Sequence, residues 1–147
     1  MREKVRQRSR HDCGVACLAM AAGLTYDRAS QAFEGAGLTA RRGRRKPYSS
    51  NFKELQGVLG AVGLTAVRRR YTGWGNVGPS AIVKVGVRPN GDWHWVYVGR
   101  DPLMGLYLND PNSDLPTFEI TPVDVMCIRL PSYQPAGCYL EILPRQN

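Results

Sequence analysis

The chain has 147 residues, of which 43% are hydrophobic and 22% are charged. That length suits one domain with a sizeable hydrophobic core, and that composition is ordinary for a globular protein. No apolar run approaches the ~20 residues that a membrane-spanning helix needs, and the basic N-terminus lacks the apolar stretch of a signal peptide. These totals exclude a membrane-spanning protein and predict one domain, residues 1–147, in the cytoplasm.

The net charge of +8 is concentrated near the N-terminus. Residues 1–46 contain eleven Lys or Arg and only four Asp or Glu, and a second basic run follows at 68–70. The densest run consists of Arg41, Arg42, Arg44, Arg45 and Lys46. Such a run can attract nucleic acid or an acidic partner, but no nucleic-acid-binding motif accompanies it. A solvated loop is the simpler interpretation, and nucleic acid is the less favoured partner.

The N-terminal part of the sequence predicts three helices. Cys13–Ala22 is almost wholly apolar, which predicts a short buried helix. A second helix is predicted over 25–33, after a threonine cap. A basic loop at 39–47 follows, and Ser49 or Ser50 should then cap a third helix whose apolar residues recur at helical spacing. Those apolar residues are Phe52, Leu55, Leu59 and Val62.

From residue 64 onward the hydrophobic period changes to that of strands. The strand candidates are Leu64–Tyr71, Ala81–Val87, Trp93–Gly99, Leu106–Leu108, Thr117–Ile120 and Tyr139–Leu143. A Pro-Asn-Gly-Asp run at 89–92 is a strong hairpin signal, so the second and third candidates should pair antiparallel. Helices followed by strands predict an α+β fold, with the N-terminal helices packed on an antiparallel β-sheet.

Four residues form a candidate catalytic set. Cys13 lies where the first helix begins, and a helix N-terminus stabilises a thiolate. His94, within a strand, is the candidate base, and Asp110 would fix the tautomer of its imidazole. Gln7, six residues before Cys13, would donate its amide N–H to an oxyanion together with the Cys13 main-chain N–H. Thiol-based acyl transfer needs these four roles.

The alternation of side chains along a strand predicts how the candidate base is presented. Trp93 and Trp95 should lie on the face opposite His94, which shares its face with Val96 and Val98. If the face of His94 looks toward the first helix, the imidazole meets Cys13 near the edge of the sheet.

The remaining cysteines have a simpler interpretation. Cys17 shares a helical face with Cys13 and is expected to be a small buried hydrophobe. A zinc site made by His11, Cys13 and Cys17 has a spacing that matches none of the usual paired patterns. The sequence therefore predicts no metal and no other cofactor.

The set resembles the peptidase domain of bacteriocin-processing ABC transporters, the papain-like double-glycine leader peptidases. The resemblance is carried by Gln7, by the motif Asp12-Cys13-Gly14, by His94 in an apolar strand, and by Asp110-Pro111. It implies a papain-like cysteine peptidase fold, with Cys13 as nucleophile, His94 as general base and acid, Asp110 as orienting carboxylate and Gln7 as oxyanion donor. It also implies a peptide substrate, with cleavage after a Gly-Gly-type site.

Three departures from the family leave alternatives open. No membrane-spanning or nucleotide-binding portion accompanies the motifs, so we expect a stand-alone domain. The basic loop at 41–46 and the segment at 127–147 are elaborations that a different substrate would explain. The function predicted is a cysteine peptidase, a hydrolase acting through a thioester acyl-enzyme. The alternatives are a related acyl-transfer enzyme (isopeptidase or deamidase) and a catalytically silent binding module that uses its arginines.

Overall fold

The computed structural model describes residues 1–86, 93–120 and 126–144. Three helices precede a sheet, as predicted: α1 (Cys13–Ala22), α2 (Tyr26–Gly35) and α3 (Phe52–Ala61). The Thr25 side chain caps α2 by accepting a hydrogen bond from the Arg28 N–H. The prediction that a serine caps α3 is wrong.

Asn51 is the cap of α3, and it forms a capping box with Glu54. The Asn51 side chain accepts from the Glu54 N–H at 2.8 Å, while the Glu54 carboxylate accepts from the Asn51 N–H at 3.0 Å. Two main-chain donors are satisfied reciprocally by this pair, which neither serine one or two positions earlier achieves. None of the helices among the described residues is long and apolar enough to cross a membrane.

A six-stranded sheet follows, and each of its pairings is antiparallel. The strands are β1 (Thr65–Arg70), β2 (Ser80–Gly86), β3 (Trp93–Asp101), β4 (Gly105–Asn109), β5 (Thr117–Phe118) and β6 (Gln134–Leu143). Their order is β1-β6-β2-β3-β4-β5, so the last strand inserts between the first two. The predicted α+β architecture of helices on an antiparallel sheet is confirmed.

The predicted pairing on either side of the hairpin signal is also confirmed. β2 and β3 pair from Ser80 opposite Gly99 to Gly86 opposite Trp93. The hairpin run itself, 89–92, and Val87 lie outside the described residues.

The two faces of the sheet bury different sets of side chains. The face that packs on the helices carries Trp95 and Tyr97, whereas Val96 and Val98 belong to a second core with Tyr133. The sequence left open which face of this strand looks toward the helices, and it is the face of Trp95 rather than that of His94, because the two residues alternate. The bulky Trp95 fills the space under the helices, and its ring meets the Phe52 ring of α3 edge to face at 4.9 Å.

Candidate active site

The candidate site lies where two neighbouring strands separate. The pairing of β3 with β4 ends at Tyr97 opposite Asn109, so the beginning of β3 has no β4 partner on that side. Asp110 follows directly after β4, and α1 begins beside the unpaired part of β3. The N-terminal segment crosses the same region, because the Gln7 N–H donates to the Pro111 carbonyl at 3.0 Å. Residues distant in sequence therefore meet at this opening.

Cys13 is the first residue of α1 and is only 8% exposed. Its Sγ accepts a hydrogen bond from the Trp95 main-chain N–H at 3.4 Å, a donor that β4 does not use. The thiol therefore touches the main chain directly after His94. No hydrogen bond joins the Cys13 thiol to the His94 ring in the part of the chain that is described.

Burial decides the ionisation of the thiol. It raises the pKa of Cys13 to about 11, although the main-chain N–H groups of Trp95 and Gly14 favour the thiolate, and the carboxylates of Asp12 and Asp110 disfavour it. The helix N-terminus was expected to hold a thiolate, and in this geometry desolvation outweighs it. At neutral pH this raised pKa favours the neutral thiol of Cys13.

Asp12 is fully buried and shapes the turn that enters α1. Its carboxylate accepts from the main-chain N–H groups of Arg8 at 2.9 Å and Ser9 at 3.0 Å, and from the Tyr26 hydroxyl. It makes no side-chain cap for α1, although it occupies the cap position. Asp12 thus fixes the segment between Gln7 and Cys13. The sequence presented this residue only as part of a motif.

His94 and Asp110 are in contact, as the sequence predicted. His94 Nε2 lies 3.1 Å from Asp110 Oδ1, and the side chains are 16% and 9% exposed. The other ring nitrogen of His94, Nδ1, has no hydrogen-bond partner among the described residues. Burial raises the pKa of Asp110, but the hydrogen bond and charge of His94, with further donors, outweigh it and hold that pKa below its usual value.

Tyr133 is the residue of this site that sequence reasoning missed. Its hydroxyl donates to Asp110 Oδ2 at 2.7 Å, in a buried contact, while the Asn112 N–H donates to Oδ1 at 2.9 Å. Both oxygens of the carboxylate are therefore occupied, which fixes its orientation toward His94. A single tyrosine 23 residues after Asp110 carries no signal in the sequence that distinguishes it from any other core tyrosine.

Gln7 reaches the site through its main chain, but no hydrogen bond joins its side chain to the thiol among the described residues. Its Nε2 donates to the Ser9 carbonyl at 2.8 Å, and its Oε1 is buried with no hydrogen-bond partner in the same part of the chain. In this site Cys13 contacts the residue after His94, and His94 contacts Asp110. The Gln7 amide instead forms a hydrogen bond within its own turn. The oxyanion role of Gln7 stays a prediction.

The structure shows the surroundings of the cysteines and of His11, which bear on the zinc hypothesis. Cys17 is completely buried, as expected for a small hydrophobe, and the four cysteines are free thiols. His11 is exposed. Within the described ranges, no three His, Cys, Asp or Glu residues come together in a way that would hold a metal ion.

Part of the basic loop forms ion pairs with the first turn of α3. Arg42 and Arg45 both pair with Glu54, and Arg42 also donates to the carbonyls of Leu38 and Ser49. The exposed cations of the loop are Arg41, Arg44 and Lys46. The predicted loop is confirmed, with one short bridge between Arg42 and Arg45 inside it.

No family model and no curated protein matches the chain in sequence. Solved structures do match it. The peptidase domain of Streptococcus ComA, a bifunctional ABC transporter of a quorum-sensing pathway, aligns with a TM-score of 0.66 at 18% identity, over 98% of this chain and 99% of that one. A double-glycine motif protease from an AMS/PCAT transporter, solved with its leader peptide, aligns with a TM-score of 0.63 at 18% identity, over 98% of this chain and 92% of that one. The predicted structural resemblance is confirmed: this chain has the α+β fold of these double-glycine peptidase domains.

Proposed function

We propose that the protein is a cysteine peptidase in which Cys13 is the nucleophile and His94 the general base. The observation that carries the proposal is the chain of contacts from the Cys13 thiol to the main chain of β3 beside His94, and from His94 to Asp110. A nucleophile, a base and an orienting carboxylate in one opening are the parts that acyl transfer requires.

The chemistry follows from the protonation states. His94 Nδ1 takes the proton from the neutral thiol as Sγ attacks the scissile carbonyl carbon, and the carbonyl electron pair moves to oxygen. When the C–N bond breaks, the imidazolium returns the proton to the leaving amine, and a thioester remains on Cys13. Water then gives a proton to His94 and attacks the thioester, which releases the acid product and restores the thiol. Asp110 stabilises the imidazolium throughout.

The oxyanion needs donors at the start of α1. The Cys13 main-chain N–H lies at the helix N-terminus, where such groups are free to bind an anion. We assign the Gln7 amide as the second donor, which requires its side chain to rotate from Ser9 toward the substrate. Loss of one oxyanion donor costs about 10²–10³ in turnover in comparable enzymes, so Gln7→Ala should fall in that range.

The substrate that we propose is a peptide or protein cut after a Gly-Gly-type site. The shared fold with a protease solved on a leader peptide supports that choice of substrate class. Glycines at the cleavage site suit this arrangement, because Cys13 is only 8% exposed and larger substrate side chains would have to displace the residues that cover it. A cytoplasmic location stays a prediction from the sequence.

The proposal is tested by trapping the chemistry at Cys13. We expect the wild-type protein to be alkylated by iodoacetamide at pH 7 at least ~10-fold faster than His94→Ala, because only the wild type has a base for the thiol. Gly-Gly peptides should be hydrolysed by the wild type but not by Cys13→Ala, with both proteins folded by circular dichroism. Equal alkylation rates, or turnover that survives Cys13→Ala, would contradict the proposal.

Isopeptidase and deamidase activity share the acyl-enzyme and differ in the bond that is attacked. Mass spectrometry of the trapped intermediate and of the released amine or ammonia separates them. A silent binding module that uses the arginine loop is less supported, because two of the arginines already pair with Glu54.

A further inference from the structure

An aromatic cluster connects the candidate nucleophile to the protein surface. The Trp95 ring contacts the Phe52 ring at 4.9 Å and the Trp93 ring at 5.4 Å, both edge to face. Trp95 also donates its main-chain N–H to the Cys13 thiol. Trp93 is 45% exposed, although burying an indole is strongly favourable. The cluster is therefore packed on its inner side and open on its outer side.

Two cations cover the outer side of this cluster. The Arg68 guanidinium lies 4.3 Å from the centre of the Phe52 ring, and Lys84 Nζ lies 4.2 Å from that of Trp93. Lys84 also lies 6.0 Å from the Phe52 ring, so the rings and cations form one continuous patch. We call Phe52, Arg68, Lys84 and Trp93 the cation–aromatic surface.

Among the described residues, these cations differ from their neighbours in having no acidic ion-pair partner. Arg69, the next residue on β1, pairs with Glu141, and the loop arginines 42 and 45 pair with Glu54. No carboxylate in the described part of the chain forms an ion pair with Arg68 or Lys84. Stacking on the rings fixes where the two charges lie, so a carboxylate that arrives there meets a preorganised site.

We propose that the cation–aromatic surface binds an acidic side chain of the peptide substrate and selects for it near the scissile bond. The inference rests on the proposed peptidase function and extends it to a substrate class. Trp95 links the surface to the thiol, because its main-chain N–H donates to Cys13 Sγ while its ring contacts the Phe52 and Trp93 rings. An extended peptide advances ~3.3 Å per residue, so a peptide that runs from the thiol across this surface places the selected Asp or Glu within a few residues of the cleaved bond, and a flanking apolar side chain packs on Trp93.

The experiment uses internally quenched peptides with a central Gly-Gly and a single Glu, Gln or Lys, placed in turn at each of five positions on both sides. The rate constant kcat/KM is measured for the wild type, Arg68→Gln, Lys84→Gln and the double variant. Arg28→Gln is the matched control, because Arg28 is an exposed cation on α2 away from the rings. The same peptides are tested by a second measurement, which is how strongly they slow the alkylation of Cys13.

At one or two positions, Glu should be preferred over Gln by ~3–10-fold in the wild type, and Lys should be disfavoured. Each single variant should reduce the preference, the double variant should abolish it, and Arg28→Gln should leave it unchanged. The preference should also weaken as salt is raised.

The inference would be overturned if the preference for Glu survived in the double variant. It would also be overturned if Glu affected neither cleavage nor the protection of Cys13 at any position. Both results would leave the peptidase function standing. Protection of Cys13 by a single-stranded oligonucleotide, with no effect of Glu, would assign the surface to phosphates instead and would also overturn it. Failure of the proposed function shows separately, as alkylation of Cys13 that is independent of His94.

Discussion

The two halves of the candidate site are held in place by different kinds of interaction. On the nucleophile side, Cys13 is fixed by packing and by main-chain groups, above all the Trp95 N–H, and the entering turn is ordered by buried Asp12. On the base side, His94 is fixed by a run of side chains, since it contacts Asp110 and Asp110 accepts from Tyr133. The position of Cys13 depends mainly on packing and main-chain contacts, and the position of His94 depends on polar side-chain contacts.

This difference determines how each half responds to change. A main-chain donor is removed only by substitution with proline, so other substitutions damage the nucleophile side mainly by altering the packing around α1. The base side is a series of polar contacts, each of which can be removed while the fold persists. We therefore expect variants of the base side to lose activity with little change in structure, and variants of the residues packed around Cys13 to lose stability first.

The largest effect should come from His94→Ala. Without the imidazole, the thiol, whose pKa burial raises to about 11, has no group to take its proton at neutral pH. We expect kcat/KM for a Gly-Gly peptide to fall by about 10³-fold or more. His11→Ala is the control, since His11 is the other histidine of the chain and is exposed. Comparable losses in both variants would remove the reason for assigning His94 as the base.

The next largest effect should come from Asp110→Asn. The amide cannot stabilise the imidazolium, and it can turn its NH₂ toward His94 Nε2 and select the wrong tautomer. We expect a loss of about 10²–10³ in kcat/KM, with near-wild-type circular dichroism. Asp27→Asn is the matched control, because Asp27 is 73% exposed and pairs with Arg8 at the surface. A wild-type rate in Asp110→Asn would show that the contact with His94 has no catalytic role.

The same carboxylate should make the stability of the protein depend on acid. The pKa of Asp110 is held below its usual value by His94 and the other donors, despite burial, so folding favours the ionised form. That contribution to the free energy of unfolding is fully present above the unfolded pKa, about 3.9, and is lost as the pH falls through the lower folded value. Urea unfolding between pH 2 and 7 measures it. The difference between the wild type and Asp110→Asn should shrink toward acid, and a constant difference would contradict the stated cause.

A smaller effect is expected from Tyr133→Phe, which tests whether the series of polar contacts that holds His94 extends beyond Asp110 to Tyr133. Asp110 Oδ2 would lose a buried donor, so the carboxylate would orient His94 less well, and we expect kcat to fall by about 10-fold with KM nearly unchanged. Tyr139→Phe is the control: Tyr139 is similarly buried, but its hydroxyl donates to the Asn76 carbonyl away from the site. Equal effects of the two substitutions on kcat would reduce Tyr133 to a structural residue.

The same division explains what the sequence could and could not predict. Cys13, His94 and Asp110 could be proposed as a set because a cysteine at a helix start and one of only two histidines are distinctive, and His94 does contact Asp110. Their catalytic roles stay predictions. The sequence could not show which face of β3 packs against the helices, because the alternation of side chains is compatible with either face. The packing of Trp95 on Phe52 decides between them. Tyr133 and the raised pKa of Cys13 depend on contacts across the fold, which no local pattern encodes.

The smallest effect on chemistry, and the clearest on packing, should come from Gly14→Ala beside the nucleophile. A Cβ at Gly14 would lie 2.9 Å from Ser50 Oγ, 3.3 Å from Phe33 Cζ and 3.5 Å from Trp95 Cδ1, all in buried surroundings. Overpacking of this kind costs about 1–3 kcal/mol, and moving Trp95 would also shift the N–H that contacts the thiol.

Gly57→Ala in α3 provides the opposite case, because a Cβ there meets nothing within 4 Å. It should leave the free energy of unfolding unchanged or raise it by up to about 1 kcal/mol, since alanine favours the helix. Chemical denaturation of both variants measures the contrast. If Gly14→Ala unfolded at the same denaturant concentration as the wild type, the nucleophile side would tolerate repacking, and its dependence on shape would be refuted. If Gly14→Ala were destabilised while its Cys13 was alkylated at the wild-type rate, the packing would hold α1 in place but would not affect the reactivity of the thiol.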